Sequence, residues 1–372
     1  MSTNSNIEWT EITWNPLAGC DKISAGCREC YAIRMAWRLM HIEHSREKYA
    51  GTVEKTACGK LNWTGKINFD LKALYEPLGW NGQKMVFVNS MSDLFHKDVP
   101  ISFIAEVFAV MFHTKHIYQL LTKRADRANT ILNSEEFKQA LVKAINQVHR
   151  THIDDNETLA PFNAPNKPDA YDYEDVMQWY PFKNVWIGVS VENQKAANER
   201  IPQLLNTPAA VRWLSCEPLL GPVDITNKGL NNAYSKPTSF LDYNGKKHGI
   251  EWTDSGDTFI GLDWVVAGGE SGSDARPMHP EWVRGLLNQC EAAEIPLFFK
   301  QWGAYLPFED TAQPPFIRAC NNNQEFDAHI VNFIDKETGK PGKWCNGQWM
   351  EALEAQMYCV EHGNIPVMFL KK

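Results

Sequence analysis

Three of the nine cysteines in this 372-residue chain fall in one short stretch, Cys20, Cys27 and Cys30 of "CDKISAGCREC". A closed tetrahedral zinc site takes four protein ligands, most often as two CxxC pairs. Here there is one CxxC and one outlier, with Cys58, His41 or His44 as candidates for a fourth ligand. Three thiolates are also the number a [4Fe-4S] cluster takes when one iron is left without a protein ligand. Zinc and iron–sulfur both remain open on spacing alone.

Composition limits the alternatives. The chain is 44% apolar and 12% aromatic, values of a globular protein with a substantial core. It shows no basic-then-apolar leader and no run of about 20 apolar residues, so it reads as a soluble, cytoplasmic protein without membrane contact. Thiols stay reduced in that compartment, and clustered cysteines there bind metal or do chemistry. The formal charge of −8 argues against non-specific coating of nucleic acid, which needs many Lys and Arg contacts to phosphate. A local basic groove remains compatible with it, and "LLTKRADRA" at 120–128 is the best candidate.

The elements that must position these thiols follow a recurring unit of apolar run, polar turn and helical pattern. The runs are "EITWN", Met85–Asn89, His116–Leu121, Val185–Val189, Val211–Ser215, Trp264–Ala267 and Pro296–Lys300, with "IPVMFL" near the end as a last strand. Turn and helical patterns follow in "YAIRMAWRLMHIE", "ISFIAEVFAVMF", "TKRADRANTIL", "SVENQKAANERIPQLL" and "GGESGSDARPMHPEWVRGLLNQCEAA". Apolar strands alternating with helices predict a parallel sheet in an α/β fold, a complete or partial TIM-like (β/α) barrel. An open doubly wound sheet is the alternative. Polar stretches near 151–182, 225–259 and 303–344 break the rhythm and read as insertions at the mouth of one domain spanning 1–372.

The cysteine segment, with "NSMSDLFH", "LLTKR", "GVSVENQ", "LSCEPLLGP" and "AGGESG" in that order, resembles an uncharacterised phage-associated family. Its members carry a radical-SAM-like three-cysteine motif and are distantly similar to spore photoproduct lyase. The resemblance implies a radical S-adenosylmethionine (SAM) enzyme, with Cys20, Cys27 and Cys30 holding [4Fe-4S] and SAM bound to the open iron. A 5′-deoxyadenosyl radical would then act on a substrate, with a nucleic acid or nucleotide as the leading class. An electron donor such as flavodoxin or ferredoxin is implied as partner. The motif departs from the superfamily in two places: six residues separate the first two cysteines instead of three, and Glu29 stands where an aromatic commonly precedes the last cysteine.

Active-site residues of barrel enzymes gather at the C-terminal ends of strands. By the resemblance, Tyr31 stands in for the adenine-packing aromatic, and Asn89, Ser90, Ser92 and Asp93 take the place of the segment that binds the SAM amino group. Lys123 and Arg124 offer charge for the SAM carboxylate or a phosphate, while Ser190, Glu192 and Asn193 suit the ribose. Helix capping is the competing reading for Ser92, Asp93 and the "SVEN" segment. Further along, Glu270 is a candidate base, Arg276 a candidate holder of an anionic group, and Lys300 with Gln301 closes the ring. Cys216 sits at a projected strand end, where a thiol can donate hydrogen to a substrate radical as in spore photoproduct lyase. Cys290 reads as helix packing, and Cys320, Cys345 and Cys359 show no ligand spacing. A non-enzymatic zinc-binding module for nucleic acid or protein is the alternative from another class.

Overall fold

A computed structural model describes residues 3–4, 9–153, 170–226, 261–293, 295–307, 316–318, 342–345 and 348–351. The predicted "IPVMFL" strand, much of the three insertions, and Cys320 and Cys359 lie outside the described residues. The chain divides into two compact units, one of residues 1–189 and 202–212, the other of residues 190–201 and 213–372.

The first unit is built on parallel strands β1 (Ile12–Trp14), β4 (Met85–Val88), β5 (Ile117–Thr122) and β6 (Val185–Ser190), whose final residue falls in the second unit. They pair in that order, with Trp14 opposite Val88, Val88 opposite Leu120, and Leu120 opposite Ile187. Every residue of β4 and β6 is buried, because both faces of a parallel sheet are covered. That double burial is why these segments read as unbroken apolar runs. Trp14, itself fully buried, donates its indole N–H to the Ala73 carbonyl at 2.7 Å and pins the end of β1.

Between β1 and β4 the chain forms helix α1 (Tyr31–Leu39) and a hairpin of strands β2 (Val53–Lys55) and β3 (Leu61–Trp63). Ala32, Ile33 and Ala36 of α1 pack with Val53, Trp63, Tyr49 and Met91, and Cys20 and Cys30 rest against this cluster. Helix α2 (Ile101–Phe112) is apolar on nearly every side and correspondingly buried. After α3 (Ala125–Asn133) comes α4 (Glu135–Val148), a helix not named from the sequence; Ser134 caps it, and Glu135 and Glu136 complement its N-terminal dipole. Phe108 of α2 meets Phe137 of α4 edge-on at 5.3 Å. The short helix α5 (Tyr173–Met177) starts with a reciprocal cap between Asp172 and Asp175.

Helix α6 (Gln194–Leu205) crosses the boundary between units. The second unit carries parallel strands β7 (Val211–Cys216, from Trp213 onward), β8 (Trp264–Gly268) and β9 (Leu297–Gln301). They too pair in chain order, Leu214 with Val265 and Val265 with Leu297. Helix α7 (Pro280–Ala292) begins with proline in its first turn and buries Val283, Leu286 and Cys290, one stripe at helical spacing.

The fold is therefore mixed α/β, its parallel strands laid in chain order within each unit, consistent with a partial TIM-like barrel. Among the described residues neither unit shows the reversal of strand order that marks a doubly wound sheet.

Candidate functional site

The three-cysteine loop leaves β1 and turns at Gly19, whose φ of +100° is left-handed. A Cβ there would stand 2.0 Å from the Lys66 carbonyl, so only glycine lets the chain enter the loop at this point. The exit of β1 is tied to the exit of β4. Asn15 accepts hydrogen bonds from the Ser90 hydroxyl at 3.2 Å and the Met91 amide at 3.0 Å, while the Ser92 hydroxyl donates to the Leu17 carbonyl at 3.1 Å. A short 3-10 turn, Ala25–Cys27, then leads to Cys30 at the start of α1.

All three thiols are free and half-buried. Burial, with the Asp93 carboxylate adding to it, pushes the Cys20 thiol up to about 12, against the pull of Arg124. Burial also raises Cys30, against backbone amides and the Lys123 charge. Cys20 is affected by the charge of Cys30, and Cys30 by that of Cys27, so Cys30 lies within electrostatic reach of each of the other two. Among the described residues no three His, Cys, Asp or Glu side chains are drawn together tightly enough to hold a metal ion. Nor is a fourth ligand grouped with the cysteines. His41 bonds the Trp37 carbonyl at 2.7 Å, His44 is exposed, and Cys58 sits in the β2–β3 turn against the Thr56 hydroxyl. The donor chemistry, three free thiols on one loop with cationic Arg124 and Lys123 to offset negative charge, fits a cluster with three protein ligands better than a closed zinc site.

A buried network holds this loop. The Arg124 guanidinium donates to Asp93 at 2.8 Å, pairs with Asp21, and reaches the Cys20 sulfur at 3.8 Å. Asp93 also accepts from the Thr122 hydroxyl at 2.8 Å and from the Phe95 and Lys123 amides. Its caps are local: Pro100, not Ser92 or Asp93, begins α2. His96, with no side-chain exposure, lies 3.1 Å from Asp21, and burial followed by the Arg124 charge lowers its pKa. Asp21 and His96 were missed from the sequence, where "CD" and "DLFH" give no sign that distant segments converge on them.

Asn89 differs from its neighbours. It is the one non-glycine residue with positive φ, +61°, among the described residues. It is 5% exposed, and both atoms of its carboxamide are buried without a hydrogen-bond partner. Left-handed backbone on a non-glycine residue and an unsatisfied buried amide both cost free energy, and such costs concentrate at functional sites. Close by in sequence, Ser90 accepts the Tyr31 hydroxyl on its carbonyl at 2.8 Å, and the Tyr31 ring is 54% exposed.

The remaining predicted residues fall in the second unit. Ser190 is buried, and the Glu192 carboxylate is held by Arg200 at 2.7 Å. Asn193 caps α6 by accepting from the Ala196 amide at 3.0 Å, as the capping reading expects. Glu270 takes Arg276 at three points, its backbone amide at 3.0 Å and its guanidinium at 2.8 and 2.5 Å. Lys300 grips both oxygens of Glu217 at 2.9 and 3.0 Å, and Gln301 spans Glu217 and the Ser271 hydroxyl. Gly269 allows the close crossing behind this cluster, since a Cβ there would stand 1.9 Å from the Trp302 carbonyl. Glu217 went unnamed from the sequence because its partners lie over eighty residues away. Cys216 is completely buried, and burial raises its thiol pKa strongly. A separate cavity of ≈ 570 Å³, lined by Gln194, Asp224, Trp282 and Gln289 among others, includes none of the predicted site residues.

Fold and site together define an α/β protein with three free thiols on the loop after its first parallel strand. The chain belongs to a family described as a protein of unknown function (DUF5131), whose model matches residues 4–358. No curated protein and no solved structure matches it. Among the described residues no helix is long and apolar enough to cross a membrane.

Proposed function

We propose that this chain is a radical SAM enzyme in which Cys20, Cys27 and Cys30 hold a [4Fe-4S] cluster. One observation carries the reading: three free thiols share a loop tied to the same strand end at which Asn89 keeps an unsatisfied, strained carboxamide. A cluster with three protein ligands supplies, when bound, an open iron for SAM and the electron for its reductive cleavage to a 5′-deoxyadenosyl radical.

The protein's own residues prepare the site. Arg124 and Lys123 set positive charge against the thiolates that metal binding requires. The Arg124–Asp21 pair and the His96–Asp21 contact hold the loop against the ends of β4 and β5. Asn89 offers an NH2 donor group and a carbonyl acceptor, the complement of the carboxylate and amino groups of an amino acid. Its burial keeps water from satisfying those groups first. Asp93 and Arg124 are already joined, so they serve this reading as supports of the loop and as a source of local charge. For substrate, a nucleic acid or nucleotide remains the preferred class, on the resemblance to spore photoproduct lyase.

Protein purified without oxygen and reconstituted with iron and sulfide is expected to be brown, to hold about four irons per chain, and after reduction to convert SAM to 5′-deoxyadenosine. A colourless protein that retains one tightly bound zinc contradicts the proposal.

A further inference from the structure

Of the six large apolar side chains exposed among the described residues, four belong to the segment that carries the cysteines and the helix after them: Ile23, Tyr31, Met35 and Ile42. Single exposed apolar residues are ordinary on a protein surface; a group of them beside a candidate site marks an interaction surface. In α1 the exposed residues are Tyr31, Arg34, Met35 and Arg38, at spacings of three, four and seven, which places them on one stripe. The opposite face, Ala32, Ile33 and Ala36, is buried against the β2–β3 hairpin.

The charge around this stripe runs against that of the whole molecule. Lys22 and Arg28 are exposed on the loop, and Arg34 and Arg38 on the helix, in a chain of formal charge −8. Of the nearby acids, Glu29 is paired with Arg28 at 3.1 Å and Asp21 is held by Arg124 and His96, while Glu43 and Glu47 lie beyond the helix, exposed beside exposed Arg46. The result is an apolar centre with a basic rim, built from the segment that carries Cys20, Cys27 and Cys30.

We propose that this face of α1 and the loop before it form the docking surface for a small, acidic electron-carrier protein. The proposal rests on the iron–sulfur reading of the adjacent cysteines and adds to it where the electron enters. Transient electron-transfer encounters bury little area and depend on complementary charge to steer and orient them, which is what a basic rim around a few apolar side chains provides. A single-stranded nucleic acid fits less well. Such ligands bind through several open aromatic platforms and a continuous basic groove, whereas here the Tyr31 hydroxyl is engaged by the Ser90 carbonyl and the nearby Trp37 and His41 rings pack against each other at 4.9 Å.

The test uses an acidic flavodoxin as probe on the full chain, both metal-free and reconstituted with iron and sulfide without oxygen. Exchanging both arginines, Arg34→Glu with Arg38→Glu, is expected to weaken flavodoxin binding at low ionic strength by about tenfold or more, and to slow reduction by reduced flavodoxin equally. Iron content and reduction by dithionite should match the parent. Lys143→Glu, exposed on α4, should change neither quantity. If the double exchange impairs folding, Arg34→Gln and Arg38→Gln singly should each give a smaller loss in the same direction. Flavodoxin binding indifferent to these arginines in an iron-loaded chain overturns the surface and leaves the iron–sulfur reading standing. A chain that takes up no iron yet binds flavodoxin through Arg34 and Arg38 does the reverse. Binding of a single-stranded oligonucleotide, in place of flavodoxin, through the same arginines also overturns the proposal.

Discussion

At the strand ends of the second unit, Glu192 holds Arg200, Glu217 holds Lys300 and Glu270 holds Arg276. At the end of β4 in the first unit, the carboxamide of Asn89 bonds to nothing, and three free thiols stand on the neighbouring loop. Both sets occupy the position where α/β proteins place their chemistry, yet polar residues there serve two ends. Carboxylates and cations that satisfy one another fix the backbone around them. A buried amide left unsatisfied, on a backbone conformation that itself costs energy, is the feature on which the proposed ligand role of Asn89 rests. A polar strand end is thus weak evidence for function until its partners are known.

The largest effects should come from breaking the buried pairs. Arg124→Leu strands Asp93, and Arg200→Leu strands Glu192, each at a cost of about 3–5 kcal/mol in urea unfolding. The two variants should then part company. Only Arg124→Leu releases Asp21, so only it should open the cysteine loop to trypsin at exposed Lys22 and Arg28. Equal protection of that loop in both variants removes the anchoring role given to Arg124.

A pH series probes burial without an ion pair. Burial, opposed by a bond to the Ile145 carbonyl, pushes His113 from 6.5 down to about 4. The other groups facing it are His149, 5.5 Å away ring to ring, and Tyr171 at 6.1 Å. Between those two values the unfolded chain carries the extra proton, so stability is complete above 6.5, falls as pH drops from 6.5 to 4 and levels off below, by about 3 kcal/mol in all. His113→Leu should flatten that part of the urea-midpoint curve. An unchanged slope would assign the acid sensitivity elsewhere.

The smallest effect on stability is the most pointed. Asn89→Gly removes both the left-handed penalty and the orphaned amide, so it should leave stability within about 1 kcal/mol of the parent or raise it. SAM affinity should nonetheless fall by about tenfold, a loss of about 1.4 kcal/mol. Glu217→Gln should do the opposite, lowering stability by about 1 kcal/mol with SAM affinity intact. Should both variants lose SAM equally, the distinction between the two regions fails.

Much of the fold could be read from the sequence because parallel strands are covered on both faces. Apolar runs such as "VWIGV" and "WVVA" stand out, and all seven observed parallel strands begin and end within one residue of the expected positions. The hairpin of β2 and β3 was less legible, since its strands are three residues each, Val-Glu-Lys and Leu-Asn-Trp, too short for a period to show, and each buries a single residue. In the site, residue types at strand ends were readable and their partners were not. Asn89 and Asp93 look equally polar in sequence; the end of β5 and the turn after it supply Thr122 and Arg124 to Asp93 and nothing to Asn89. Asp21, His96 and Glu217 acquire meaning only when segments far apart in the chain meet.

Electron paramagnetic resonance of the anaerobically reconstituted, dithionite-reduced protein decides whether the three thiols hold iron. The expected spectrum is that of a reduced [4Fe-4S] cluster, shifted when SAM is added and absent from Cys27→Ala. A spectrum without a cluster signal, from protein carrying stoichiometric zinc, would contradict it.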